Sequence, residues 1–356
     1  MVRLVCIEEC ERITQATLLS PRPPVRPMSA AENNIENMSD LTHDANRVVD
    51  PAAMQIIVGC DDGYACHLSV MLLSLFAHSK TLPVQVHVMV PSAFASRAKL
   101  DQALGEDAGK LTYHVLEDGS VTVLKQREDI TAVTYYRLLL TDVLPPSVQR
   151  VIYLDCDILL RGDLADLWGF HLDNAIVAAA IDPGFMHKHV LGLPDDAPYF
   201  NAGVLLIDLM RWRSEAIGQH ALAFAAAHPD RLTFNDQCAL NWVLRDRWAV
   251  LNPVWNLQTQ VLTQVVNGEV RYIKPIPPIA ASARVVHFNA PGRPWMYMDE
   301  HPFKPDYLAY KARTPWRRDR PVDRRPGNMI IKTLRRHAPV LLPIYRSIRK
   351  SMAKPG

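Results

Sequence analysis

Asp155 and Asp157 stand one residue apart where the apolar run 151–154 of "VIYLDCDILLRGD" gives out. Two carboxylates this close repel, and each raises the other's pKa unless a cation lies between them. A divalent ion removes the conflict. Carboxylate oxygens joined by a histidine nitrogen suit Mn2+ or Mg2+ and leave positions open to phosphate oxygens. Such an ion is a Lewis acid for a phosphate leaving group. Alone, D-x-D is a weak signal, since Asp is common where strands become loops. Asp163 and Asp166 read as loop and helix-start residues of that kind, and Cys156 as a small buried filler.

Other polar residues follow other apolar runs: Asp61 and Asp62 after "QIIVGC", Asp182 after "AIVAAAI", His287 after "RVV". In an open α/β sheet, ligands bind outside the carboxyl ends of the strands. These residues, far apart in sequence, are therefore expected along one edge. The elements behind them alternate. "MQIIVGC", "VQVHVMV", "LTYHVL", "VIYLD", "AIVAAAID", "AGVLLID", "WAVL" and "ARVVHF" read as strands. Leu68, Met71, Leu72, Leu75 and Phe76 repeat along one helix face. "SAFASRAKLDQAL", with Ser92 as its expected cap, "TYYRLLLTDVL" and "NDQCALNWVLRD" read as further helices. Strands alternating with helices predict an α/β fold around a mostly parallel sheet.

The chain of 356 residues, 49% apolar and 21% charged, is that of a globular protein with ample core. Its formal charge of +2 is unevenly spread: residues 311–356 hold 14 Lys and Arg against two Asp, which leaves the rest at −10. A basic tail on an acidic body suits an anionic surface. Glu8, Glu9 and Glu11 stand where a secretory signal needs an apolar core, so none is expected. The six cysteines show no zinc spacing, and reduced thiols in a cytoplasmic setting are expected. Residues 1–53 include the Pro-rich "SPRPPVRPMSAAENN" and read as a disordered extension. The segment 54–305 is the expected catalytic domain, and 306–356 a basic Pro- and Arg-rich tail. "NMIIKTLRRHAPVLLPIYRSIRK" is an amphipathic stretch that Pro339 and Pro343 break.

Five stretches in order, "IIVGCDDGYACHLSVMLLSL", "TYYRLLLTDVLPPSVQRVIYLDCDILLRGDLADLW", "YFNAGVLLIDLMRW", "FNDQCALN" and "HFNAPGRPW", resemble the motifs of glycosyltransferase family 8. That family includes bacterial lipopolysaccharide galactosyl- and glucosyltransferases and glycogenin. The likeness spans roughly residues 54–295. It implies a retaining transferase of the A-type glycosyltransferase fold, using a UDP-hexose and Mn2+ (or Mg2+). By this resemblance Asp155 and Asp157 are the chelating pair and His287 the third protein ligand. Asp61 and Tyr64 take the uracil and ribose, with the Tyr64 ring on the base. Arg137 contacts the donor sugar or its phosphates, Asn201 and Asp182 hold donor hydroxyls, and Asp236 and Gln237 lie at the reacting sugar. Trp255 and Asn256 match a further family pattern. Each position also has an ordinary reading: core packing for Tyr64 and His287, a helix-start charge for Asp236, a turn for Asn201, a surface ion pair for Arg137.

The final motif departs from the usual H-x-x-G-x-x-K-P-W. Arg293 replaces a lysine, exchanging a point charge for a planar fork beside the diphosphate. Ala290 replaces a glycine, and Gly292 is expected to supply the close backbone approach instead. Gly63 stands where relatives often carry Asn. The expected acceptor is a saccharide or lipid-linked sugar of cell-surface polysaccharide. The tail resembles extensions by which such transferases rest on anionic membranes, and no nucleic acid is expected as a partner. Two rivals stand beside this reading: a metal-dependent phosphohydrolase of haloacid-dehalogenase type, whose strand and D-x-D "VIYLDCDIL" resembles, and a non-catalytic sugar-nucleotide-binding relative.

Overall fold

Seven strands form the central sheet of the computed structural model, which describes residues 49–117, 132–185, 188–266, 269–289, 292–341 and 343–345. Nearly all of the Pro-rich extension, Ala290 and the end of the basic tail lie outside these residues. In chain order the strands are β1 (Met54–Gly59), β2 (Val84–Pro91), β3 (Leu111–Leu116), β4 (Arg150–Leu154), β6 (Val177–Ile181), β7 (Phe200–Asp208) and β8 (Trp248–Val250). In space they run β3-β2-β1-β4-β7-β6-β8. All neighbours are parallel except β7, which opposes both β4 and β6. The expected mostly parallel sheet is found. The reversal of β7 brings its first residues to the edge where β1, β4 and β6 end.

Strands this apolar are buried on both faces. In β4, Val151 and Tyr153 enter one core and Ile152 and Leu154 the other. Helix α1 (Ala65–His78) covers the second face with Leu68, Met71, Leu72 and Leu75, beside α2 (Arg97–Leu104). On the first face lie α3 (Leu209–Ser214), α4 (Ile217–Ala227) and α5 (Asn235–Val243). Two expected helices differ. α2 begins at Arg97 rather than after Ser92, because the chain first turns, with Phe94 N–H on Pro91 O. The "TYYRLLLTDVL" helix is instead a 3-10 segment, Ala132–Leu138, followed by one turn, Leu140–Val143. Tyr135, Tyr136, Arg137 and Leu138 are all buried, which the single buried face of a surface helix cannot provide.

A second sheet, not anticipated, places the histidine. β5 (Ile158–Leu160), β9 (Leu257–Gln258) and β12 (Val285–His287) align in the order β5-β12-β9, with His287 opposite Ile158. His287 is thereby fixed next to Asp157. A hairpin of β10 (Thr263–Val266) and β11 (Glu269–Tyr272) lies beyond.

Described residues on either side of 54–305 are bonded to this body. Asp50 N–H donates to Gln85 Oε1, and Gln55 Nε2 donates to Asp50 O. The boundary at 305 falls inside α6 (Lys304–Lys311), whose Tyr307 is buried with its hydroxyl 2.7 Å from His67 Nδ1. α7 (Pro326–His337) has no buried residue but is tethered at its base. The Asp323 carboxylate accepts Tyr297 and Met298 N–H, and Lys332 Nζ donates to Tyr297 O. Among the described residues no helix is long and apolar enough to cross a membrane.

Candidate active site at the carboxyl edge of the sheet

A cleft of about 370 Å3 opens at the carboxyl edge of β1, β4 and β6. Asp61, Tyr64, Arg137, Asp155, Asp157, Asp182, Asn201, Asp236, Gln237, His287 and Arg293, all singled out from sequence, line it together. Gly292, Trp255 and Asn256, also singled out from sequence, do not line it.

Asp155, Asp157 and His287 form the floor, with one ligand atom of each within 4.8 Å of the others. His287 Nε2 lies 3.3 Å from Asp157 Oδ1 and 3.7 Å from Asp155 Oδ2. Burial pushes the His287 pKa down, but Asp157 and Asp155 outweigh it, and the net is a rise. For Asp157 burial acts upward, yet His287 holds the carboxyl below its usual value. The His287 tautomer follows from its other nitrogen. Asn201 Oδ1 accepts Gly203 N–H, so it is the oxygen; Asn256 Nδ2 donates to that oxygen at 2.9 Å. Asn256 therefore turns its own Oδ1 to His287 Nδ1, 3.0 Å away, which must carry the proton. Nε2 faces the carboxylates. Gly203 makes room: a Cβ there would lie 2.2 Å from His287 Cε1 and 2.8 Å from Asp155 Oδ2.

Arg137 lies beneath the carboxylates. Its guanidinium pairs with Asp155 Oδ1 and Asp236 Oδ2, each at 2.8 Å, and donates to Ala202 O and Thr134 O. The group is 6% exposed, so protein partners take its planar fork almost entirely. Burial opposes its charge, but Asp155 and Asp236 raise its pKa above the ordinary value. Burial pushes the Asp236 carboxyl up to about 6, against the pull of Arg137. Tyr153 O–H donates to Asp155 Oδ1.

On the far side Asp182 Oδ2 accepts Asn201 Nδ2 at 3.3 Å and Gln237 Nε2 at 3.1 Å. The Gln237 carbonyl accepts Ala202 N–H, which orients the amide. At the other end Tyr64 is the N-cap residue of α1, and burial with the nearby Asp157 charge pushes its phenol up to about 12. Of the two carboxylates after β1, Asp61 faces the cleft, whereas Asp62 accepts Ala95 N–H. Asp163 likewise serves backbone N–H groups, at Lys80, Thr81 and Ala165. Arg293 N–H meets Asp299 Oδ2 at 3.3 Å. Gly292 is needed for a close approach to protein: a Cβ there would stand 2.5 Å from Thr259 Cγ2 and 2.7 Å from the Tyr272 hydroxyl.

Sequence reading passed over Gly203, Tyr153, Gln260 and Asn289. Gly203 sat inside a quoted motif, but its need is set by a ring 84 positions later in the chain.

A mostly parallel α/β sheet with one reversed strand and a cleft at its carboxyl edge is the architecture of the A-type glycosyltransferase fold. The model of "Glycosyl transferase family 8" matches residues 55–299, and the chain belongs to that family. General stress protein A of Bacillus subtilis (strain 168) is 29% identical over 275 residues, 74% of this chain and 94% of that protein. Lipopolysaccharide 1,3-galactosyltransferase of Salmonella typhimurium is 23% identical over 277 residues, 75% of this chain and 80% of its own. Among solved structures, the galactosyltransferase LgtC in complex with donor and acceptor sugar analogs matches with a TM-score of 0.64 at 24% identity, over 74% of this chain and 99% of that one. The protein is a glycosyltransferase; the phosphohydrolase alternative finds no support.

Proposed function

We propose that the protein is a metal-dependent, retaining UDP-hexose transferase that passes galactose or glucose to a saccharide or lipid-linked acceptor of cell-surface polysaccharide. The observation that carries this reading is the Asp155–Asp157–His287 group on the cleft floor of a family 8 domain. Two carboxylates and one imidazole nitrogen are a donor set for Mn2+ or Mg2+. The Nδ1–H tautomer of His287 leaves Nε2 free to join them. Asp155, Asp157 and His287 would hold the ion, which when bound supplies Lewis-acid charge to a departing diphosphate.

The remaining steps belong to the chain's own residues. Tyr64 offers a ring face to the base, and Asp61 stands beside it for the ribose. Arg293 brings a cation to the diphosphate. Asp182, Asn201 and Gln237, tied to one another, present oriented polar atoms to donor hydroxyls. Arg137 holds the carboxylates of Asp155 and Asp236 in place. With Asp236 bound in that pair, attack and departure on one face of the sugar account for retention better than a covalent adduct. A glycosyl–Asp236 adduct trapped during turnover is the result that would reject this.

The relatives named as lipopolysaccharide galactosyl- and glucosyltransferases support a cell-surface acceptor. α7 supports a seat on an anionic membrane: Met329 and Ile330 are exposed beside Arg335 and Arg336. Basic residues near such a surface contribute about 1 kcal/mol each. Vesicles of anionic lipid should bind the protein in a salt-sensitive way, and reversing Arg335 and Arg336 to Glu should abolish binding. Equal binding by that variant would remove the membrane from this account.

The first experiment is UDP release with Mn2+ from a panel of UDP-sugars. Release from one hexose donor, lost with a chelator, is the expected result. Metal-independent release would overturn the reading.

A further inference from the structure

We propose that Tyr307, on α6, is a positioning residue for the donor nucleotide: it anchors His67 and, through that ring, the Tyr64 ring that faces the base. The assignment rests on the UDP-hexose reading above. Tyr307 lies beyond the last of the family motifs, which ends at Trp295, and it does not line the cleft. Tyr64 and Arg293 do line it, yet they come from opposite ends of the catalytic segment. A group of rings joins the two. His67, in the first turn of α1, meets the Tyr64 ring edge to face at 5.3 Å and lies 4.0 Å from the ring of Trp295, two residues after Arg293.

Tyr307 completes the group. It is 1% exposed, its ring stands 5.8 Å from Trp295 and 5.7 Å from Phe288, and its hydroxyl reaches His67 Nδ1 at 2.7 Å. The same hydroxyl shares a hydrogen bond with the Cys66 thiol. Both partners stand in the first turn of α1, the turn that begins at Tyr64. That helix start has no capping side chain. A start of this kind is less stable than a capped one, and a frayed first turn would carry Tyr64 with it. α6 therefore supplies from a distance the hold that a cap would give. His67 is neutral near pH 7, since burial lowers it to about 4, so the link is a neutral hydrogen bond.

Tyr307→Phe removes the hydroxyl and keeps the ring. Calorimetry of the full chain with Mn2+ should show Kd for UDP and for the UDP-hexose rising together, about three- to tenfold, the effect of one neutral hydrogen bond. Donor KM should rise with them while kcat holds, as where binding is lost equally from substrate and transition state. His67→Phe keeps a ring beside Tyr64 and Trp295 without Nδ1, and serves as the second variant should the first fold poorly. The double variant should bind UDP about as weakly as either single one, because all three delete the same link. Unchanged UDP affinity in both single variants, with or without a lower melting temperature, would make Tyr307 a packing residue and overturn the proposal. Shifts that simply add in the double variant would overturn it too. A wild type that binds no UDP would remove the donor reading and the proposal with it.

Discussion

His287 and His87 are both buried, and each has its tautomer fixed by a carboxamide. His287 Nδ1–H donates to Asn256 Oδ1. Gln55 spends its Nε2 on Asp50 O and Ala53 O, so its Oε1 accepts from His87 Nε2–H at 3.0 Å. The difference lies at the second nitrogen. That of His287 faces Asp155 and Asp157 in an open cleft, whereas that of His87 meets His114 Nε2 at 2.9 Å between strands β2 and β3. Their pKa values move in opposite directions. Carboxylates raise His287 despite burial; burial, then His114, lowers His87 to about 3. Burial of a histidine therefore says little about function. What the second nitrogen faces separates the proposed metal ligand from a structural group.

The largest effect should come from removing the carboxylate that His287 faces. Asp157→Asn keeps the shape and deletes one charge. Loss of several kcal/mol of Lewis-acid stabilisation predicts a fall of about a thousandfold in UDP release. Folding should survive, because Asn still fits beside His287. Release at the wild-type rate would break the comparison at its functional end.

Asn256 tests the same point from behind. Asn256→Leu removes the acceptor that holds Nδ1–H, and outer partners of this kind change metal affinity by about 10- to 100-fold. Titration of Mn2+ by electron paramagnetic resonance, without nucleotide, should show that weakening. Asn256→Asp retains an oxygen for Nδ1–H and should recover most of the affinity. If Leu and Asp behave alike, Asn256 does not set the tautomer.

Much of this was legible in the sequence, and the reason is topological. Parallel strands with buried faces announce themselves as apolar runs, and the residue after each run falls on one edge, so Asp61, Asp155 and Asp182 could be found by position. His287 and Asp157 are joined by the small β5-β12-β9 sheet; β12 showed as "ARVVHF", but β5 and β9, of three and two residues, leave too little periodicity to read, so its pairing did not show. Arg137 was visible as a residue, but its burial under Asp155 and Asp236 was not, since ion pairing depends on where the 3-10 segment lies in the folded core. Gln55, His87 and His114 carried no signal at all. They lie on three different strands, and only the register of β1, β2 and β3 joins them.

That silent cluster gives the smallest effect on catalysis and the clearest on stability. His87→Leu leaves Gln55 Oε1 without its donor and takes from His114 Nε2 its neighbour on β2, a cost of about 1–3 kcal/mol per unmet group. Activity per folded molecule should not change, because neither group lines the cleft. The pH dependence carries a sign. Unfolded, His87 takes up a proton near its ordinary 6.5; folded, it resists until about 3. Between these values the unfolded chain binds more protons, so stability falls as pH drops below 6.5, by at most about 1.4 kcal/mol per pH unit for each such group. His67 and His301, each lowered to about 4 by burial, act in the same direction. Urea unfolding from pH 7 to 4 should show this decline in the wild type. His87→Leu, less stable throughout, should lose about one proton's worth of the slope. An unchanged slope would mean that His87 is already charged in the folded protein, and the contrast with His287 would fail.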